Sequence, residues 1–214
     1  MDQDIEIINT NTRNEKIKNF FIKNKKYLIK FLSIIIVIVF AYFAYNGIQD
    51  KNIKKLAEKY NNILVEFENS NKTDSKKKLI EIIYEKNSTY SPLALYFIID
   101  NDIDSTKEEI NEYFDIIIKN VRLEKEIKNL IIYKKGLFNS DFETENNLIK
   151  ILNPLLNSSS IWKSHALYLL GEYFLSRNEK QKAKEFFENI LILDNSNVSI
   201  KNEAQKRIQN DFTE

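Results

Sequence analysis

Residues 164–197, SHALYLLGEYFLSRNEKQKAKEFFENILILDNSN, decide the fold class of this chain. Apolar side chains recur in this stretch at helical spacing on both sides of a polar break at Arg177-Asn178-Glu179. The spacing predicts two helices of about 14 residues each, joined by a short turn, each with one apolar face. The two apolar faces can bury each other, so the stretch is predicted to form a helical hairpin.

The same pattern continues outward along the chain. Pro92 follows Ser91, which we expect to cap a helix with proline at its first position, and Pro154 is expected to end or kink another. Alternating patterns separated by glycine turns, which are typical of strands, do not occur. The sequence therefore predicts an all-α domain over residues 50–214, with helices at residues 53–67, 79–83, 91–99, 110–121, 123–137 and 148–152 in addition to the hairpin.

An uncharged and almost wholly apolar stretch occupies residues 31–49. As a helix it would extend over about 28 Å, close to the hydrocarbon thickness of a bilayer. A cleaved signal peptide would carry an unusually long charged segment before it, and Tyr42 stands where a signal peptide needs a small residue. A buried core helix would need a polar face, which the stretch lacks. We therefore expect one N-terminal transmembrane helix at residues 31–49.

Charges beside this stretch predict its orientation. Residues 13–30 contain seven basic residues and one acid, Glu15, whereas residues 46–60 contain four bases and two acids. The positive-inside rule then predicts that residues 1–30 form a cytoplasmic basic tail and that residues 50–214 are exported. Topology alone explains the lysine cluster, and membrane lipid is the further partner that such a cluster can contact.

The composition favours a protein-binding function over a catalytic one. The 32 basic residues (28 Lys and 4 Arg) nearly balance 31 acids, which argues against nucleic acid as a partner. Cysteine is absent, and the single histidine, His165, has no ligand at metal-binding spacing, so it is expected to be an ordinary helix-surface residue. We expect no enzyme activity, no catalytic residues, no metal and no cofactor.

The hairpin at 164–197 resembles a tetratricopeptide repeat, a helix–turn–helix unit of 34 residues. Leu170-Gly171 matches the Leu-Gly pair of the motif, whereas Leu167, Ile190 and Asn195 stand where Trp, Ala and Pro are usual. The resemblance implies an α-solenoid of tetratricopeptide-like helical hairpins with a close helix crossing at Gly171 and Ala183. The residues expected to pack the repeat are Trp162, Leu170, Gly171, Phe174, Ala183 and Phe187. Those expected to line a protein-binding groove are His165, Tyr168, Glu172 and Leu175.

A wider resemblance covers residues 15–210, from the lysine-rich start to the last predicted helix. It rests on Leu152-Asn153-Pro154-Leu155, then Trp162, Ala166, Leu169 or Leu170 and Gly171, then Ala204 and Arg207. This pattern is similar to the ancillary subunit of the bacterial SecYEG translocon. It implies an adaptor in the bacterial inner membrane, with its C-terminal domain in the periplasm, that contacts an integral membrane complex and binds exported proteins or chaperones. The alternative is a structural scaffold that tethers another envelope assembly, such as cell-division or outer-membrane machinery.

Overall fold

The structure, a computed structural model, describes residues 2–69 and 71–212, with side chains for 15–68 and 71–212. Every regular element in these ranges is helical, as the spacing of apolar residues predicted. The α-helices are α1 (Asp2–Glu66), α2 (Lys72–Tyr84), α3 (Tyr90–Asp100), α4 (Lys107–Asn120), α5 (Lys125–Asn139), α6 (Glu145–Leu156), α7 (Trp162–Ser176), α8 (Lys180–Leu191) and α9 (Val198–Asp211), and a short 3-10 helix (Phe67–Asn69) follows α1.

Contacts divide the chain into two compact units, Met1–Lys55 and Leu56–Glu214. Helix α1 has no break at residue 30 or 49, so helix ends do not mark the domain boundaries proposed from the sequence. In the first unit, the large apolar side chains of residues 31–48 are exposed, with 71% of Phe40 accessible. The most apolar window of α1 has a mean hydropathy of 2.4, and none of it is buried. Within the described ranges, α1 alone is long and apolar enough to be a candidate membrane-spanning helix.

The second unit contains two hydrophobic cores. The first core joins the end of α1 to α2, α3 and α4, and the second joins α6, α7, α8 and α9. Helix α5 contributes to both, because Ile131 is buried in the first core and its neighbour Ile132 in the second. From α5 to α9 each helix contacts the next, and α5 also contacts α7, as α7 contacts α9. Helix α7, which carries the candidate binding residues, is therefore in contact with both α5 and α9.

Three helix ends in the described ranges are followed by a left-handed residue that is not glycine, namely Lys86, Asp102 and Asn178, and the last two form a matching pair of backbone bonds. After α3, Asp102 has a φ of 46°, and its N–H donates to the carbonyl of Ile99 (3.2 Å). The next N–H, that of Ile103, donates to the carbonyl of Ile98 (3.1 Å). Asn178, with a φ of 62°, closes the turn between α7 and α8 with an equivalent pair of bonds. Asp and Asn tolerate this conformation better than most residues, so a chain with three glycines can still end its helices sharply.

The two prolines mark neither the first residue of α3 nor the last residue of α6. Helix α3 begins one residue earlier, at Tyr90, and the hydroxyl of Ser91 is buried, donating instead to the carbonyl of Ile82 in α2 (2.9 Å). Helix α6 does not end at Pro154 but continues to Leu156. The last turn of α6 places Leu155 in the second core without any exposure, and its burial favours continuing the helix.

Gly171 provides room for the ring of Phe187. A Cβ atom at residue 171 would lie 2.5 Å from the Phe187 Cε1, and the nearest three atoms all belong to this ring. The ring of Phe187 therefore occupies the space that a side chain at residue 171 would need. Phe187 is fully buried, so it has little space into which to move.

We predict that Gly171→Ala destabilises the folded domain. Alanine gains about 1 kcal/mol of helix propensity, but overpacking typically costs about 1–3 kcal/mol, so a net loss is expected. Urea unfolding of the full chain in detergent, followed by circular dichroism, measures the change. The matched control introduces Gly171→Ala into a Phe187→Leu background, where the added methyl group should cost less. Equal losses in both backgrounds would show that the ring is not the obstacle.

Candidate protein-binding surface

The four residues proposed to line a groove all lie on α7, and each is half-buried. Their surroundings differ. His165 contacts aromatic rings on α5 and at the start of α7, whereas Tyr168 and Glu172 face a basic side chain on α9. Leu175 packs against the second core. The four therefore do not form one uniform lining.

His165 belongs to an aromatic cluster with Tyr133 and Trp162. The rings of Tyr133 and Trp162 stack with their centroids 5.6 Å apart, and the His165 ring lies 4.8 Å from that of Trp162. Burial raises the pKa of the Tyr133 hydroxyl. Beside the cluster, half of the surface of Ile161 is accessible. His165 is thus held against two rings instead of lying free on the helix surface, and Trp162, expected to pack between helix pairs, connects α7 to α5.

Tyr168 and Glu172 meet Arg207 of α9. The guanidinium forms an ion pair with the carboxylate of Glu172, in which Nη2 donates to Oε2 (2.8 Å). Nε lies 2.7 Å from Oε1, but this oxygen accepts no hydrogen bond among the described residues. A third nitrogen, Nη1, lies 3.3 Å from the carboxylate of Asp211. Burial raises the pKa of Tyr168, an effect that hydrogen bonding to Arg207 partly opposes. Hydrogen bonding to Tyr168 and the charge of Glu172 in turn raise the pKa of Arg207.

Helix α9 therefore already uses part of the proposed groove. Two of the four proposed groove residues, Tyr168 and Glu172, contact Arg207 of α9 and remain half-buried. His165 and its aromatic neighbours keep a partly accessible surface. An aromatic cluster of this kind suits protein recognition, because tryptophan and tyrosine dominate the energetics of many interfaces.

The residues expected to pack the repeat occupy the second core or its edge. Trp162 is half-buried at the edge, and Gly171 lies against Phe187. The rings of Phe174 and Phe186 stack with an angle of only 5° between their planes, joining α7 to α8. The fully buried or almost fully buried side chains are Leu170, Phe174, Ala183 and Phe187.

Among the residues whose side chains the structure describes, no group of three or more His, Asp or Glu side chains could hold a metal ion. Comparison of the chain with protein-family models, with curated proteins and with solved structures gave no match. Its function is therefore inferred from its own residues and their geometry.

Two contributors to this surface were not recognised from the sequence. Tyr133 looks like any other apolar position of α5, and nothing local indicates that it stacks on a residue 29 positions later. In the sequence, Arg207 was singled out only as part of the pattern that is similar to the translocon subunit. Its rarity was a usable signal, because only four of the 32 basic residues are arginine. Arginine presents a planar fork that binds a carboxylate with two nitrogens, which lysine cannot do.

We predict that Arg207→Lys destabilises the domain although it keeps the charge. Loss of the guanidinium contact with Glu172 should lower the free energy of unfolding by about 1 kcal/mol, allowing for partial solvent screening of the pair. Urea unfolding of the full chain in detergent measures the effect. Lys206→Arg is the matched control and should be near neutral, since Lys206 forms an exposed ion pair with Glu203 on its own helix. A stable Arg207→Lys variant would show that α9 does not depend on this contact.

Proposed function

We propose that this protein is a membrane-anchored adaptor that binds other proteins. The observation that supports this most strongly is the exposed apolar stretch of α1, attached to a helical unit that has its own two cores. An apolar helix of this length suits a lipid environment, in which its backbone hydrogen bonds are satisfied internally. The helical unit then needs no membrane contact to bury its apolar faces and is available for partners.

The basic residues before residue 31 support a cytoplasmic N-terminus and an exported domain. In a bacterium the anchor would lie in the inner membrane and the domain in the periplasm. The contacts of α5 with α7 and of α7 with α9 support a stack of tetratricopeptide-like hairpins that forms an α-solenoid. The aromatic cluster of Tyr133, Trp162 and His165 would then be one part of its binding surface.

The resemblance in residues 15–210 favours the protein-export translocon as the membrane partner, with exported proteins or chaperones bound by the helical domain. A scaffold for another envelope assembly has the same architecture and differs in what its membrane helix contacts. Identification of that contact therefore separates the two functions.

We predict that a photo-crosslinking amino acid at Phe40 captures a subunit of the protein-export channel in intact cells. Phe40 is suitable because 71% of its surface is accessible in the candidate membrane helix. The measurement is mass spectrometry of the crosslinked product. The control is a probe at Tyr84, which is half-exposed in the helical unit. Because Tyr84 lies outside the candidate membrane helix, this probe should capture no membrane-embedded part of a channel subunit. Capture of cell-division or outer-membrane machinery at Phe40 would support the scaffold function instead.

A further inference from the structure

An apolar cleft lies between the loop after α3, the start of α4 and the end of α5. Its volume is about 320 Å³, and it is open to solvent. Ile103 and Ile110 are almost fully buried in its floor, and Phe138 and Phe142 are half-buried beside them. This volume is at the low end of the roughly 300–1,000 Å³ of ligand pockets. An open cleft of this size fits one large side chain of a protein partner better than an enclosed small molecule.

Two acidic loops border the cleft. The loop after α3 carries Asp102 and Asp104, which line the cleft, and the loop before α6 carries Asp141 next to Phe142. All three aspartates are exposed, and none belongs to an ion pair in the described part of the chain. Their charge is therefore not neutralised within the described structure and attracts a cationic partner.

The cleft is also lined by one cation, Lys107, and by the hydroxyl-bearing Ser105. The ammonium of Lys107 lies 3.9 Å from the centre of the Phe142 ring, so it is held against the wall by a cation–π contact. The hydroxyl of Ser105 is shielded from solvent and has no hydrogen-bond partner among the described residues.

We propose that this cleft binds a protein segment in which one large apolar side chain is flanked by lysine or arginine. The apolar side chain occupies the space above Ile103 and Ile110, and the flanking cations lie against Asp102 and Asp104. This inference rests on the proposed protein-binding function and adds to it the chemistry of one bound segment. It concerns a surface separate from the aromatic cluster around Trp162.

Fluorescence anisotropy of labelled pentapeptides tests the proposal with the full chain in detergent. The probes are Lys-Lys-Phe-Lys-Lys, Lys-Lys-Ser-Lys-Lys and Glu-Glu-Phe-Glu-Glu. We expect the first to bind, the serine peptide to bind at least about tenfold more weakly because burial of the ring is lost, and the acidic peptide not to bind. The double variant Asp102→Asn/Asp104→Asn should weaken the first peptide about fivefold. Asparagine tolerates the left-handed backbone at residue 102, so this variant should fold.

The matched control is Glu85→Gln/Asp194→Asn, which removes two exposed and unpaired charges elsewhere in the domain and should leave the affinity unchanged. Equal weakening by the two double variants, or equal binding of the phenylalanine and serine peptides, would show attraction to overall charge and overturn the proposal. Absence of binding by Lys-Lys-Phe-Lys-Lys at roughly millimolar concentration would also overturn it. None of these results would change the crosslinking outcome at Phe40, so failure of the cleft and failure of the adaptor function are distinguishable.

Discussion

The exposure of apolar side chains along residues 31–48 of α1 is the constraint on which the rest of the molecule depends. Apolar surface in water is unfavourable by about 25 cal/mol per Å², and this stretch carries no charge that could keep it dissolved. A bilayer removes that cost. Residues 56–214 must then fold from their own apolar faces, and the two cores joined at Ile131 and Ile132 show how they do so.

Several polar contacts join neighbouring helices of the helical unit. Arg207 of α9 forms an ion pair with Glu172 of α7 and donates to it through Nη2. Asn111 and Asn139 exchange a pair of amide hydrogen bonds between α4 and α5, both at 2.9 Å. The neighbouring pair Asp115 and Lys135 adds an ion pair at 2.7 Å. Two polar residue pairs thus fix α4 against α5, while apolar packing supplies most of the stability.

The helical class and the turn at residues 177–179 could be predicted from the sequence, because apolar spacing is a local signal. The helix ends were harder to predict from the sequence. Ser91 is a residue type that often caps helices, but its hydroxyl donates to the carbonyl of Ile82. Helix α6 continues past Pro154, and Leu155 in its last turn is fully buried. The partners of the proposed groove residues could not be predicted from the sequence, since Glu172 and Arg207 are 35 residues apart and nothing in their local sequence indicates that they meet. The cleft at Ser105 was missed for the same reason, as three separate segments build it.

Resistance to alkaline carbonate extraction tests the membrane anchor most directly. Membranes from cells expressing the full chain would be compared with those from cells expressing residues 56–214, both detected through the same tag. The anchor predicts that the full chain stays in the membrane pellet after extraction, whereas residues 56–214 remain in the soluble fraction without any treatment. Release of the full chain by carbonate would contradict it, because an inserted helix is not displaced by alkali. Sedimentation of residues 56–214 with membranes would place the membrane contact in the helical unit instead.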